Sequence, residues 1–406
     1  MNYRERIQCR LCGARVKTVF ALSPTPIANN YSEKPDHGAA KYPLELTQCS
    51  VCDHIQQRYI FDALFEDYKY VTPATVARYL APVAVLLKER YPRARKVLEI
   101  GSNNGTYLKV LREEGFDATG IDPAATGENN IEAYFTLNWA QRHNVRYDLI
   151  LANNVFAHID DLYNTFRGAL ELLAPGGAIV FEVQYLPALV KAGTFDMIYH
   201  EHMSYHTLAP LARFARRLGM VMTRYDHIST HGGSIRVTLE RRAERVKEAW
   251  FTETTIDWTA FTERVNAVKE RVRAMLEGRE VVLLGAAAKV TTMIHHCGIA
   301  DNILYACDDT PEKQGRYIPG TDIYIRPTSE LRANAALLGA WNYAKEFREM
   351  FPNNELLNPY VELEEQCLTA GTKNSPSASS VEVTGEKFGH RLSLVPERHS
   401  GKSAET

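Results

Sequence analysis

The chain has 406 residues, 45% of them hydrophobic and 24% charged, with a formal net charge of −2. That length predicts two or three globular units, and the near-neutral balance excludes the electrostatic footprint of a nucleic-acid or anionic-membrane binder. No apolar run reaches the roughly 20 residues of a membrane span and no apolar stretch follows the first six residues, so the expected address is cytoplasmic.

Four of the seven cysteines fall early, as Cys9-x-x-Cys12 and Cys49-x-x-Cys52. Each pair has knuckle spacing, with Gly13 and Asp53 placed for tight turns, and two knuckles make a closed four-thiolate zinc site of the structural kind. A redox-active Cys-x-x-Cys is the rival, but it needs no second matching pair. His54 reads as a bystander to the metal. Zinc knuckles also bind nucleic acid, yet the flanking residues lack the basic and aromatic surface that this requires. Between the pairs, 23–31 is extended and polar, suited to lining a cleft. The aromatic junction at 61–72 carries Tyr68 and Tyr70, which either pack the linker or close over a ligand.

Residues 76–94 predict a helix with Leu80, Val83, Leu86 and Leu87 on one face. The stretch that organises the chain follows: the β-prone run Val97-Leu98-Glu99-Ile100, the loop Gly101-Ser102-Asn103-Asn104-Gly105, and an amphipathic segment. This is a strand, tight turn and helix of an open α/β sheet, in which glycine lets the backbone approach a ligand. Asp122 ends the next expected strand, where an acid accepts the hydroxyls of a ribose. A dinucleotide fold calls for three glycines to clear a pyrophosphate. This loop lacks the middle glycine, and Glu99 with the loop amides suits a cationic, amino-acid-like ligand better. S-adenosylmethionine is therefore expected over NAD, with a ligand-free turn as the bland alternative. A buried strand ends in Asn153 and Asn154, which should face the site, while His158 reads as a packed or capping residue. Another strand covers 174–183, and the alternation from 97 to 183 predicts a doubly wound parallel sheet. Glu99, Gly101, Ser102, Asn104, Gly105, Asp122, Asn153 and Asn154 are the candidate cofactor contacts.

The run Phe195-Asp196-Met197-Ile198-Tyr199-His200-Glu201-His202-Met203-Ser204-Tyr205-His206 is the most chemically loaded. It offers a proton acceptor near neutral pH, a carboxylate and a hydroxyl. A metal held by His200, His202 and His206 matches no familiar ligand spacing, and an inert surface is the remaining reading. At His231-Gly232-Gly233-Ser234-Ile235-Arg236, glycines expose backbone amides and Arg236 can grip phosphate; the alternative is a hairpin turn. The charged helical pattern of 241–278 reads as a connector. A second strand–turn–helix begins at 280 and runs into Gly285-Ala286-Ala287-Ala288-Lys289; with Lys313, that unit could hold a sugar nucleotide's diphosphate. Cys297, Cys307 and Cys367 read as plain thiols. The domains expected are 1–72 (zinc), 73–278 (cofactor), 279–362 (smaller and Rossmann-like) and a disordered tail at 363–406.

Taken together, these residues resemble the three-domain sugar C-methyltransferases of deoxysugar biosynthesis. The landmarks are the cysteine knuckles, Glu99 to Gly105, Ala152-Asn153-Asn154-Val155, Tyr199 to His202, His231 to Ser234, Gly285 to Lys289, Lys313-Gln314-Gly315 and Ala340-Trp341-Asn342. The resemblance implies a class I methyltransferase sheet and methyl transfer from S-adenosylmethionine to a ring carbon of a nucleotide-linked 4-keto-6-deoxysugar, C3 favoured over C5. It implies His202 as the base that forms an enolate, with Tyr199 and Glu201 beside it. Tyr68, Tyr70, His200, His231, Arg236, Lys289 and Lys313 are the candidate substrate contacts. Asn104 stands where the family usually has Asp, Asp122 where Glu is commoner, and the end of the chain departs from the usual last strands. A monomer is expected. Methylation of a sugar oxygen or nitrogen on this scaffold is one alternative; a zinc-dependent binding protein with a vestigial cofactor site is the other.

Overall fold

The computed structural model of the chain describes residues 2–61, 75–241 and 255–360. Tyr68, Tyr70, Cys367 and the tail from 363 lie outside them.

At the N-terminus β1 (Tyr3–Glu5) pairs with β5 (Tyr59–Phe61), and β2 (Val16–Thr25), β3 (Tyr42–Cys49) and β4 (Ile55–Gln57) form an antiparallel sheet. Its far edge is completed by β11 (Ser204–Tyr205), which pairs with Ile55 and Gln56. The chain just after the Tyr199–His202 run is thereby fastened to the segment just after the second cysteine knuckle.

The central sheet contains β6 (Lys96–Ile100), β7 (Asp117–Asp122), β8 (Asn130–Glu132), β9 (Tyr147–Asn153), β10 (Leu173–Gln184), β12 (Val221–Ile228) and β13 (Ser234–Glu240), in the order β12-β13-β10-β9-β6-β7-β8. The strands from β10 to β8 are parallel, and β13 runs antiparallel to both its neighbours. β6, β9 and β10 are apolar at consecutive positions because both faces are covered. Val97, Leu149, Leu151 and Val180 face α1 (Thr75–Arg90) and α2 (Thr106–Glu113). Leu98, Ile150, Ala152 and Phe181 face α4 (Leu162–Leu172) and α6 (Leu208–Arg217). α1 stops four residues short of the expected 94, because Pro92 disfavours helical backbone at the residue before it.

The third sheet is fully parallel: β14 (Val281–Leu284), β15 (Ile303–Cys307), β16 (Ile325–Arg326), β17 (Ala335–Leu338) and β18 (Glu355–Leu357), in the order β16-β15-β14-β17-β18. β17 and β18 complete it although the end of the sequence departs from the family's pattern. The expected connector contains the helix Trp258–Leu276, capped by Asp257, whose side chain accepts from the Ala260 amide. It does more than connect. Phe261, Val265, Val268, Val272 and Leu276, spaced four, three, four and four, bury one stripe with the third sheet. The abundance of charge on its other faces concealed that stripe. No described helix is long and apolar enough to cross a membrane.

The N-terminal unit sits between the other two. Its cysteines and Leu11 pack with the central sheet, whereas Phe20, Leu22, Leu44 and Leu46 pack with the third.

Candidate active site and metal centre

The Sγ atoms of Cys9, Cys12, Cys49 and Cys52 lie within 4.8 Å of one another, with Cys9–Cys52 at 3.6 Å and Cys12–Cys49 at 3.3 Å. Tetrahedral zinc at about 2.3 Å from each sulfur needs separations near 3.8 Å, so this donor set fits the ion. Gly13 and Asp53 have φ of 78° and 62°, as the turns require. Amides of Leu11, Val51 and Cys52 point at the sulfurs of Cys9 or Cys49. The knuckles are anchored to the central unit: Arg213 and Arg217 donate to the carbonyls of Cys52 and Leu11, and Arg10 donates to Asp160. His54 is turned away from the sulfurs, its Nε2 3.3 Å from Ser204 Oγ.

At the carboxyl edge of the central sheet, Glu99, Asp122 and Asn153 stand at or near the ends of neighbouring strands. Glu99 is 4% exposed, and its Oε2 and the Asn153 Nδ2 are buried without hydrogen-bond partners among the described residues. Burial pushes the Glu99 carboxyl up to about 8, with Asn153 holding it back and Asp122 adding to the rise. Orphaned buried polar atoms are rare, and a carboxyl beside an amide fits a ligand with an ammonium or sulfonium group. The loop is built for close approach: Gly101 has φ of 75°, and a Cβ there would lie 2.2 Å from Val155 Cγ2. Ser102 donates to Asn130, and Asn104 Oδ1 accepts from the amide and hydroxyl of Thr106 in the first turn of α2. Asn154 takes φ of 58°, its amide on the Glu182 carbonyl. Asp122 Oδ1 accepts from the Ala124 amide.

A second cluster lies where the three units meet. His202 Nδ1 donates to the Met197 carbonyl at 2.9 Å, which leaves Nε2 as the acceptor for the Tyr199 hydroxyl at 2.7 Å. Burial, and then the neighbouring His158, hold His202 well below the usual imidazole range, so the ring is neutral at physiological pH. The His158 ring centroid is 4.8 Å from that of His202, and His158 Nδ1 donates to the Glu201 carbonyl. Glu201 is 1% exposed; Oε1 accepts from the amide and side chain of Asn29, each at 3.1 Å, while Oε2 has no partner among the described residues. Burial pushes this carboxyl up to about 7. His231, at φ of 54°, faces the same region and is pushed down to about 4 by burial, Lys289 and His158. From the third unit, Lys289 stands 3.8 Å from the Trp341 ring centroid and donates to Asn342. Burial lowers its ammonium to about 8 against the pull of Asp196. Asp196 is itself buried and accepts from Trp341 Nε1 and the Tyr360 hydroxyl.

The remaining candidates stand apart from this cluster. Arg236 does not present a free guanidinium to phosphate: it donates to the buried Glu182 at 2.6 Å and to Tyr79, across the β10–β13 register. His200 points toward the N-terminal sheet, Nε2 on the Pro43 carbonyl and ring edge-on to Phe61. Lys313 is paired with Asp308. Among the described residues the cysteine quartet alone could hold a metal, so the His200, His202 and His206 reading fails; each ring is bound to a different backbone carbonyl. Sequence reasoning gave no site role to Tyr360, and it placed Asn29 only in a cleft-lining stretch, Asp196 only in the loaded run and Trp341 only in a family landmark; the fold brings the four in from distant chain segments. His158 lies a few residues beyond the strand ending in Asn153 and was underrated there.

Three family models match the chain: a zinc binding domain at 9–64, a methyltransferase domain at 70–224 and a C-methyltransferase C-terminal domain at 229–353. The C-methyltransferase NovU of Streptomyces niveus is 31% identical over 380 residues, covering 84% of this chain and 90% of NovU. The ubiquinone biosynthesis O-methyltransferase of Pectobacterium atrosepticum is 23% identical over 131 residues, 25% of this chain and 54% of that relative. A solved magnesium protoporphyrin IX methyltransferase from Synechocystis PCC 6803 with bound SAH overlaps 41% of this chain and 84% of its own, at 15% identity and a TM-score of 0.33.

Proposed function

The chain belongs to the C-methyltransferase family, and from that premise we propose that it methylates a ring carbon, C3 favoured, of a nucleotide-linked 4-keto-6-deoxysugar. It is a methyltransferase with a structural zinc site, and its cofactor is S-adenosylmethionine. Bound S-adenosylmethionine supplies an electrophilic methyl group for a nucleophilic carbon and leaves as S-adenosylhomocysteine. Glu99 and Asn153, with their unpartnered atoms, would hold its cationic amino-acid part, Asp122 its ribose, and the Gly101–Gly105 loop its backbone contacts.

The observation that carries the reading is the Tyr199–His202 pair. A C–H beside a ketone becomes acidic enough for a modest base once the enolate is stabilised. The Tyr199 oxygen takes that proton while its own proton passes along the 2.7 Å hydrogen bond to His202 Nε2. The C–H electron pair becomes the enolate, and the imidazolium, held by the Met197 carbonyl, balances it. Glu201 Oε2 is unpartnered and placed to accept from a substrate hydroxyl, and the Lys289 ammonium and His231 face the polar end of the sugar nucleotide.

The test is the product formed from a 4-keto-6-deoxysugar nucleotide and S-adenosylmethionine carrying a 13C methyl. A methyl carbon coupled to a ring carbon is expected. A methyl resonance typical of an ether or amine would transfer the assignment to oxygen or nitrogen methylation, and no transfer at all would overturn the substrate class.

A further inference from the structure

We propose that Asn29, contributed by the zinc-bearing unit, is a positioning residue for Glu201: it fixes one carboxyl oxygen and leaves the other free to accept from the substrate. The proposal rests on the reading that Glu201 serves the reaction. Asn29 lies between the two cysteine pairs, on the crossing from β2 to β3. Its amide and its Nδ2 both reach Glu201 Oε1 at 3.1 Å, although the two residues are 172 positions apart. Oε2, equally buried, is bound by nothing described. Two donors on one oxygen lock the rotation of the carboxyl group and leave the second oxygen buried and unpartnered.

The third unit holds the crossing in place at several points. Ala28 is 1% exposed, and its carbonyl accepts from Thr291. Tyr31 donates to the Ala286 carbonyl at 2.7 Å, and Ser32 bridges to Tyr317 in the third unit. Arg316 adds a bond to the Tyr31 carbonyl. On the other side, β2 and β3 lead directly to the first and second knuckles. The zinc site therefore acts on the reaction centre through Asn29 without touching it.

Asn29 also acts on the charge of Glu201. Together with Glu201's own backbone amide, its two hydrogen bonds favour the ionised form against the cost of burial. The other titratable groups facing this carboxyl are Tyr31 and Tyr205, whose hydroxyls are both kept protonated by burial, and His158 against its backbone carbonyl. None supplies a positive charge that would replace Asn29.

The experiment compares the full-length protein with Asn29→Ala, Asn29→Asp and Glu201→Gln, using a 4-keto-6-deoxysugar nucleotide and 13C-carboxyl-labelled glutamate. Asn29→Ala should move the Glu201 titration and the matching limb of the kcat profile to higher pH. It should also reduce kcat about ten-fold at neutral pH, the scale of one hydrogen bond to a charged group, with the KM for S-adenosylmethionine unchanged. Asn29→Asp should move both further up. In a Glu201→Gln background the effect of Asn29→Ala should disappear. An unshifted carboxyl titration in Asn29→Ala, or an undiminished effect in the Glu201→Gln background, overturns the proposal. Full activity of Glu201→Gln alone instead overturns the reading of Glu201 on which it rests.

Discussion

The molecule contains two sheets with parallel cores that begin alike and end differently. In both, the first strand sits in the middle, a glycine with positive φ turns the chain (Gly101 and Gly285), and an acid follows the second strand (Asp122 and Asp308). In the central sheet the crevice is open: Glu99 Oε2 and Asn153 Nδ2 have no described partners. In the third sheet it is closed on itself. Asp308 accepts from the Ala286 amide, the Thr310 amide and Lys313, and the Tyr31 hydroxyl from the N-terminal unit fastens the same loop. Strand order and glycine placement report a fold; the acids at the carboxyl edge, Glu99 with one oxygen unpartnered and Asp308 saturated, separate a crevice suited to a ligand from one filled by the protein's own groups.

The largest way to break that contrast is at the proposed reaction centre, where the three units meet. His202→Ala should lower kcat by about 10² to 10⁴, the range of a positioned proton acceptor, while calorimetric binding of S-adenosylmethionine persists. Oxygen or nitrogen methylation would leave most of the rate.

Zinc removal comes next. Chelation should melt the N-terminal unit, whose cysteines are part of the central hydrophobic core, lowering Tm and, through Asn29, activity together. Unchanged activity after verified metal loss would contradict the wedge-like placement of that unit.

The open crevice has its own signature in pH. The folded Glu99 and Glu201 carboxyls bind protons more tightly than in the unfolded chain, at about 8 and 7. Their contribution to stability is complete below about pH 4.5 and declines as pH rises through those values. Tm without ligand should therefore decrease between about pH 5 and 8. A cationic ligand draws Glu99 into its ionised form, so affinity for S-adenosylmethionine should increase over the same interval with proton release. Calorimetry in buffers of different ionisation enthalpy reads that proton, and Glu99→Gln should abolish it.

The smallest effects belong to the closed sheet. Asp308→Asn should cost about 1 to 2 kcal/mol of stability, as expected for removing a charge from a satisfied network, and leave cofactor affinity as it was. NAD should not bind, because the third sheet's loop is already occupied by the protein's own groups.

The fold was largely readable because its elements announce themselves locally. The knuckles are short-range spacing, the strands at 97–100 and 149–152 are nearly continuous apolar runs, and the one at 119–122 is marked by its terminal Asp122. The candidate site was readable where one segment carries it, as at Tyr199 to His202. It was not readable where distant segments combine: nothing near Asn29 marks it as the partner of Glu201. Arg236 looked free for phosphate because the sequence does not reveal that Glu182 lies opposite it in the β10–β13 register. Likewise the apolar stripe of α7 (Trp258–Leu276) was diluted by charges on its solvent faces.

Proton removal from carbon by the Tyr199–His202 pair is the central claim, and solvent isotope exchange tests it most directly. A 4-keto-6-deoxysugar nucleotide incubated in D2O with the protein and S-adenosylhomocysteine should acquire deuterium beside the ketone. That incorporation should disappear in Tyr199→Phe and His202→Ala, both still binding S-adenosylhomocysteine. Exchange that continues undiminished in both variants would show that another group takes the proton, and the account of this site would be wrong.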